Sequence, residues 1–175
     1  MAVPSRHKED APRRLGFAIA TCSSSRHILR IGLKEFTDPS GDEAARLLEG
    51  SGHEIVVREV LPDEPAAIRR FLMEALGDGR VDCVIFIGGT GVSRDDSTIE
   101  AVEPLLDKKL PGFGELLRSI SYLRVGSPAM MTRALAGTVY GRAVFCLPGS
   151  PEAVETAVRE LIIPEAGHII KLCRG

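Results

Sequence analysis

The 175-residue sequence lacks any closely spaced pair of cysteines. Cys-x-x-Cys is absent, and no histidine stands at a spacing that resembles a zinc site. Buried cysteine behaves as a small hydrophobic residue, and at least Cys83 and Cys146 fall in apolar runs typical of strands. We therefore expect Cys22, Cys83, Cys146 and Cys173 to be reduced and structural, and no cysteine or histidine cluster to bind a metal.

An excess of basic residues is also missing, because 22 lysines and arginines face 24 aspartates and glutamates. Nucleic-acid binders usually carry a strongly basic face, so we predict a small-molecule partner and no nucleic acid. No apolar run approaches the length of a membrane span, and the apolar stretch after the first fourteen residues is too short for a signal peptide. The sequence therefore predicts a cytoplasmic protein without a membrane partner.

The sequence predicts two parts. Residues 1–14 mix both charge signs with two prolines, which predicts a disordered tail. The tail could contact an anionic partner, but a solvated terminus is the simpler interpretation. Residues 15–175 contain no internal repeat and no linker, so we expect a single domain.

Short apolar runs alternate with helical patterns in the first half of this domain. We predict strands at residues 15–21, 53–61 and 81–87, with helices at 43–49 and 64–76. This βαβαβ order predicts a parallel sheet with helices on both faces, and so an α/β fold. The stretch at 22–42 is rich in serine, glycine and aspartate, and its length predicts a loop that is functional or mobile.

The second half gives weaker patterns. We predict a helix beyond Gly114 within residues 111–123, a helix at 127–137 and a strand at 142–147. A long apolar helical stretch then runs from 151 to about 172, interrupted at Pro164.

Three predicted strands end in loops that carry hydroxyl groups and glycines, at residues 23–26, 88–91 and 148–151. Because the carboxyl ends of parallel strands meet at one edge of a sheet, these loops should lie together. Hydroxyls and bare backbone N–H groups suit phosphate oxygens and polar heterocycles. The P-loop and Gly-x-Gly-x-x-Gly patterns are absent, so the usual NTPase and dinucleotide sites are not supported.

Each of these features also has a structural interpretation. A glycine turn can simply pack a helix on a strand. Asp95 and Asp96 could complement a helix dipole, although one carboxylate does that as well as two. Asp63 could cap one helix, and Ser97 or Thr98 the next.

Four stretches of the sequence resemble successive motifs of the MoaB/Mog family of molybdenum cofactor biosynthesis, which includes the G domain of gephyrin. They are GGTGVSRDDSTIEAV at 88–102, KKLPGFGELLR at 108–118, SPAMMTRALAG at 127–137 and LPGSPEAV at 147–154. TCSSSR, DPSGD and LPDE also fall where that family places its first-strand loop, its Asp-x-Ser-Gly turn and its Pro-Asp-Glu turn. The resemblance covers about residues 15–173.

The resemblance implies a three-layer αβα fold with a mostly parallel sheet, assembled as a homotrimer or homohexamer. It implies adenylylation of molybdopterin with Mg-ATP or, alternatively, a carrier that binds molybdopterin without chemistry. A regulatory or scaffolding module whose inherited pocket is empty is a third interpretation. Handover to other proteins of molybdenum cofactor biosynthesis would fit the first two roles.

The resemblance also assigns residues. Asp63 and Asp96 match the family's catalytic or magnesium-linked carboxylates, so they are expected to act on Mg²⁺, with ATP as co-substrate and molybdopterin as substrate. The residues expected to bind these ligands are Ser23, Gly88, Gly89, Thr90, Gly91, Ser97, Gly149 and Ser150.

The chain departs from the family pattern at three positions. Ser24 stands where aspartate or asparagine is frequent, Asp95 where arginine or glycine is common, and Ile99 where proline is common. The expected nucleophile is a phosphate, which is ionised at neutral pH, so no Ser-His or Cys-His pair is required. Arg26 or Lys108 could steady the leaving pyrophosphate or be surface charges.

Overall fold

The computed structural model describes residues 10–175 of the chain. These residues form one six-stranded sheet with helices around it. The strands are β1 (Gly16–Cys22), β2 (Glu54–Leu61), β3 (Cys83–Ile87), β4 (Lys108–Lys109), β5 (Leu135–Val139) and β6 (Arg142–Leu147). The helices are α1 (Ser24–Ile31), α2 (Pro39–Gly50), α3 (Pro65–Gly77), α4 (Thr98–Val102), α5 (Pro111–Val125), α6 (Pro151–Ala157) and α7 (Ile163–Arg174).

The sheet has the strand order β2-β1-β3-β6-β5-β4. The first four strands are parallel, and β5 and β4 are antiparallel to their neighbours. Thr21 pairs with Ile87, which pairs with Leu147, and Cys22 pairs with Leu61. The predicted mostly parallel α/β fold is confirmed, and the register brings four strand ends level with one another at one edge.

Both faces of the three inner strands β1, β3 and β6 are buried, which explains why these strands are almost continuously apolar. Ile85 faces a core shared with α2, α5, α6 and α7. The next residue, Phe86, faces a second core shared with α3 and α4. Two helical layers therefore cover the sheet, as the resemblance implied.

The predicted helix at 127–137 is wrong. Residues Ser127–Met131 form one short 3₁₀ segment, and β5 follows as an antiparallel partner of β6. The hairpin turn between β5 and β6 places Tyr140 and Gly141 at positive φ, 47° and 70°. Gly137 pairs with β4 so closely that a Cβ there would collide with the carbonyl oxygen of Lys108. Pairing of β5 with β4 and β6 therefore overrides the helical pattern here.

The predicted loop at 22–42 is also wrong in part, because it contains α1 and the start of α2. Ser23 caps α1 by accepting a hydrogen bond from the N–H of Arg26. Asp38 caps α2, which begins at Pro39, four residues before the predicted start. Proline in the first turn also begins α5 at Pro111, ahead of Gly114.

The long C-terminal stretch is helical throughout. A π-helical turn at Val158–Ile162 joins α6 to α7. Pro164 lies just after this π-helical turn, in the first turn of α7. Proline lacks the N–H that a regular helix would use there, and a π-helical turn is the kind of local irregularity that accommodates such a lost hydrogen bond.

The predicted disordered tail covers 1–14, of which residues 1–9 lie outside the described residues. Ala11 and Pro12 lie against α7, where a Cβ on Gly167 would stand 2.6 Å from the carbonyl oxygen of Pro12. Among residues 10–175, no helix is long and apolar enough to cross a membrane.

A buried carboxylate ties the start of α2 to the sheet edge. Asp38 is 5% exposed, and its Oδ2 accepts hydrogen bonds of 2.8 Å from both Thr21 Oγ1 and the Arg58 guanidinium. Its Oδ1 accepts from the N–H of Gly41. Ser40, in the same turn, donates to the carbonyl oxygen of Gly149 at 2.7 Å. The turn thus braces two of the loops at the sheet edge.

Removing this carboxylate should destabilise the fold. Asp38→Ala leaves Thr21 Oγ1 and Arg58 without a buried partner, so we expect a loss of about 2–4 kcal/mol in the free energy of unfolding. The control is Asp42→Ala, because Asp42 also pairs with Arg58, at 2.7 Å, but its side chain is 65% exposed; it should cost no more than about 1 kcal/mol. Urea unfolding measures both, and equal losses would contradict the assignment.

Candidate functional site

The loops that follow β1, β3 and β6 touch one another through their backbones. Gly88 has φ 92°, and a Cβ there would stand 2.6 Å from the carbonyl oxygen of Cys22. A Cβ on Gly149 would stand 3.3 Å from the Cα of Gly88. A side chain at Gly88 would both force strain at positive φ and collide with backbone, so glycine is required for these loops to meet.

A cavity of about 240 Å³ opens where the loops meet. It brings together six residues predicted from the sequence, which come from four different loops, after β1, β2, β3 and β6. These are Ser23, Asp63, Gly88, Gly89, Asp96 and Gly149.

A second cavity of about 400 Å³ adjoins the first, because both are lined by Gly88, Gly89, Asp96 and Gly149. Thr90 and Gly91, also predicted, line this second cavity together with Arg133. The glycine loop at 88–91 therefore borders both cavities. Within residues 10–175, the N–H groups of Gly89, Thr90 and Gly91 donate no hydrogen bond to the protein, so they are free for a ligand.

Asp63 stands at the end of β2 and does not cap the following helix, since Glu64 occupies that position. Its Oδ2 accepts hydrogen bonds from the N–H and the hydroxyl of Ser24, at 2.8 and 3.0 Å. Its Oδ1 lies 3.2 Å from where a Cβ on Gly89 would stand. The carboxylate is therefore part of the cavity wall.

Asp96 folds back on its own loop, where its Oδ2 accepts a 2.8 Å hydrogen bond from the N–H of Ser93. Its neighbour Asp95 is exposed and lines the same cavity as Asp63. Three carboxylates and one arginine, Arg26, thus line this cavity. The excess of negative charge favours a cation in the site whenever an anionic ligand enters.

The donor set fits Mg²⁺ bound together with a phosphate ligand. The part of the chain that the structure describes has no group of three or more histidine, cysteine or acidic side chains arranged to hold a metal by itself. Mg²⁺ usually takes one or two carboxylates and completes its shell with phosphate oxygens and water. Asp63 and Asp96 can supply the carboxylates, and the free N–H groups of the glycine loop can hold the phosphate.

Two predicted residues have other roles in the structure. Ser150 caps α6 by accepting from the N–H of Ala153. The hydroxyl of Ser97 lies 3.4 Å from the carbonyl oxygen of Asp63. Neither residue lines the two cavities, and Lys108 lies on β4, beside a different cavity.

The residues that hold the glycine loop in place were not predicted from the sequence. Thr98 Oγ1 donates to the carbonyl oxygen of Gly88 at 2.8 Å, and the N–H of Thr98 donates to the carbonyl oxygen of Gly89. Arg133 donates to the carbonyl oxygen of Gly91 at 2.7 Å and pairs with Glu100. The sequence suggested Thr98 only as a helix cap, and nothing near Arg133 in the chain signals its distant partners.

Cys22 lines the first cavity but is not a nucleophile. Burial raises the pKa of its thiol to about 12, which outweighs the lowering effect of the hydrogen bond with Thr98, and the nearby Asp63 charge adds to the rise. The thiol is therefore protonated near neutral pH. All four cysteines are free, and only Cys173 is not fully buried.

A sheet edge with free glycine N–H groups and facing carboxylates defines a binding domain for an anionic ligand. A family model described as "Probable molybdopterin binding domain" matches residues 18–168. The chain belongs to this molybdopterin-binding domain family, which confirms the resemblance found in the sequence.

Individual relatives are similar over almost their whole length. The chain is 42% identical over 166 residues to molybdenum cofactor biosynthesis protein B of Bacillus cereus, with 94% of each chain covered. A crystal structure of a molybdenum cofactor biosynthesis protein B matches with a TM-score of 0.86 at 41% identity, covering 94% of this chain and 99% of that one. The tungsten cofactor synthesizing protein MoaB from Pyrococcus furiosus matches with a TM-score of 0.83 at 37% identity, covering 94% and 100%.

A methyl group on Gly91 should damage the site while sparing the fold. In Gly91→Ala the new Cβ would stand 2.7 Å from Asp96 Oδ2, so the carboxylate must swing away and lose its bond to Ser93. Because the new methyl group and the displaced carboxylate would both take up space in the cavity that Gly91 and Asp96 line, we expect molybdopterin affinity to fall at least about tenfold, with the free energy of unfolding changed by less than about 1 kcal/mol.

The matched control is Gly77→Ala, because a Cβ at Gly77 meets nothing within 4 Å. Calorimetric titration and urea unfolding of both variants provide the measurement. Unchanged affinity in Gly91→Ala would show that molybdopterin does not use the space beside Gly91.

Proposed function

We propose that the chain acts in molybdenum cofactor biosynthesis by binding molybdopterin at this sheet edge and adenylylating it with Mg-ATP. The observation that carries the proposal is the shared cavity wall of Asp63 and Asp96 beside the glycine loop. Family membership supports molybdopterin as the ligand, and the relatives named above support the pathway. The cytoplasm stays the predicted location.

The proposed reaction transfers AMP to the terminal phosphate of molybdopterin. An oxygen of that phosphate forms a bond to the α-phosphorus of ATP, while the bond to the bridging oxygen breaks and pyrophosphate leaves with the electron pair. The nucleophile is already ionised, so the protein needs to orient groups rather than remove a proton. Asp63 and Asp96 would hold Mg²⁺, which would offset charge on the reacting phosphate oxygens.

The chain's own residues supply the binding and orientation. The free N–H groups of Gly89, Thr90 and Gly91 suit phosphate oxygens. Arg26 lines the acidic cavity, and its Nε donates to the carbonyl oxygen of Thr37 at 2.9 Å. Its terminal nitrogens pair with no carboxylate within the described residues, so they are available to the leaving pyrophosphate.

A carrier that binds molybdopterin without chemistry is the second candidate. Asp95 favours it, because a third carboxylate in the 240 Å³ cavity repels a triphosphate more strongly than two would. The carrier would then hand its ligand to other proteins of the pathway. Mass spectrometry of molybdopterin incubated with the protein, Mg²⁺ and ATP separates the two functions, since only the first adds AMP.

The carboxylates should matter more for transfer than for binding. Asp63→Asn and Asp96→Asn keep the side-chain shape but remove charge that organises the metal, which affects the transition state more than the ground state. We expect each variant to bind molybdopterin within roughly tenfold of wild type, about 1.4 kcal/mol, while the rate of AMP transfer falls by orders of magnitude more. Binding titrations and initial rates measure the two effects.

The double variant should lose little beyond the worse single variant, because residues that act as a unit are not additive. Full activity in either single variant would contradict the assignment of that residue. Wild-type protein that binds molybdopterin without transferring AMP would favour the carrier.

We also propose that the chain assembles as a homotrimer or homohexamer. Within residues 10–175, several exposed apolar side chains lie close together in the chain at the C-terminal end of α5 and in the 3₁₀ segment after it. The exposed residues there are Tyr122, Leu123, Val125, Met130 and Met131. The apolar stretch at 161–170 is instead packed into the core through Ile162 and Ile170. A second copy of the chain would cover the exposed surface, since monomers rarely keep such patches.

A charge in this surface should dissociate the assembly. Leu123 is 85% exposed, so Leu123→Lys leaves the monomer fold intact but places an ammonium group in the apolar contact. Leu33→Lys is the control, because Leu33 is 95% exposed on a different surface. Light scattering should give three or six times 18.8 kDa for wild type and Leu33→Lys, and a smaller mass for Leu123→Lys. A wild-type mass equal to one chain would overturn the proposal.

A further inference from the structure

Ser24 and Asp63 are joined by a reciprocal set of hydrogen bonds. The hydroxyl of Ser24 donates to Asp63 Oδ2 at 3.0 Å and accepts from the N–H of Asp63 at 2.9 Å. The N–H of Ser24 donates to the same Oδ2 at 2.8 Å. One serine therefore holds both the backbone and the carboxylate of Asp63.

These bonds leave the two carboxylate oxygens in different states. Oδ2 already accepts two hydrogen bonds, whereas Oδ1 accepts none within residues 10–175 and lies beside Gly89. Free rotation of the carboxyl group would exchange the two oxygens, but the exchange has to break the bonds to Ser24. Ser24 thereby keeps one oxygen available on the side of the glycine loop.

The rest of α1 contributes little to burial. No residue of this helix is buried, and Ile28 and Ile31 are 64% and 66% exposed. Polar contacts attach α1 to β2, among them the hydrogen bond from Arg30 Nη1 to the carbonyl oxygen of Val60 at 3.2 Å. The hydroxyl of Ser24 is thus free of any large packing role, and its contacts are directed at Asp63.

We propose that Ser24 is a positioning residue, which fixes the Asp63 carboxylate so that Oδ1 is directed at the Mg²⁺ that would accompany the phosphates. The proposal rests on the proposed adenylyl transfer for its kinetic consequence. It also gives a role to Ser24, one of the positions where the chain departs from the family pattern. The Ser24 hydroxyl both donates to the Asp63 carboxylate and accepts from the Asp63 N–H.

The test compares three variants of the full chain. Ser24→Ala removes the two hydroxyl contacts but keeps the N–H, Ser24→Thr restores a hydroxyl, and Ser25→Ala is the control. Ser25 is the next residue of α1 and is exposed, and within residues 10–175 its hydroxyl is hydrogen-bonded only to that of Ser23, at 3.2 Å. All three keep the first turn of α1.

Ser24→Ala should lower kcat for AMP transfer at least about tenfold, as expected when a carboxylate that acts in the transition state is misplaced. Its KM for molybdopterin should stay within about threefold, and the Mg²⁺ concentration for half-maximal rate should rise. Ser24→Thr should recover kcat to within about threefold of wild type, and Ser25→Ala should match wild type. A Ser24→Ala kcat equal to that of wild type, or a change in KM alone, would overturn the proposal.

Crystal structures of Ser24→Ala and Ser24→Thr test the positioning without any activity. We expect the Asp63 carboxylate to turn or to occupy several orientations in the alanine variant, and to keep its orientation in the threonine variant. An unchanged, well-ordered carboxylate in Ser24→Ala would overturn the proposal. If wild-type protein transfers no AMP, the proposed function fails, and these structures still decide whether Ser24 positions Asp63.

Discussion

The close approach of three loop backbones at one sheet edge is the constraint on which the site depends. Gly88 lies so near the carbonyl oxygen of Cys22 and the Cα of Gly149 that a side chain at Gly88 would separate the loops. The level ends of the parallel strands make this contact possible. Because the contact is between backbones, the cavities at this edge have walls whose shape is fixed before any ligand arrives.

Polar side chains then hold each loop in its place. Thr98 ties the glycine loop to the start of α4, and Arg133 ties the far end of that loop to the segment before β5. Asp38 and Ser40 brace the ends of β1 and β6 from the other side. The bonds from Thr98 and Arg133 go to carbonyl oxygens of the glycine loop. The N–H groups of Gly89, Thr90 and Gly91 are therefore left for a ligand. Preorganisation of this kind reduces the cost of binding an anion.

Sequence patterns were informative where local chemistry decides the structure. Buried strands followed by glycines correctly predicted which loops meet, because period, turn residues and parallel pairing are local or nearly local signals. They failed at 127–137, where antiparallel pairing with β6 outweighs a helical pattern. They also did not indicate the hydrogen bonds between Ser24 and Asp63, since a bond between residues 39 positions apart has no local sequence pattern.

The most direct measurement is a crystal structure of the protein with molybdopterin bound. We expect the phosphate of the ligand to lie within hydrogen-bonding distance of the N–H groups of Gly89, Thr90 and Gly91, beside the cavity that Asp63 and Asp96 line. Molybdopterin bound away from the glycine loop, for example on the exposed apolar surface around Tyr122 and Leu123, would contradict this binding site.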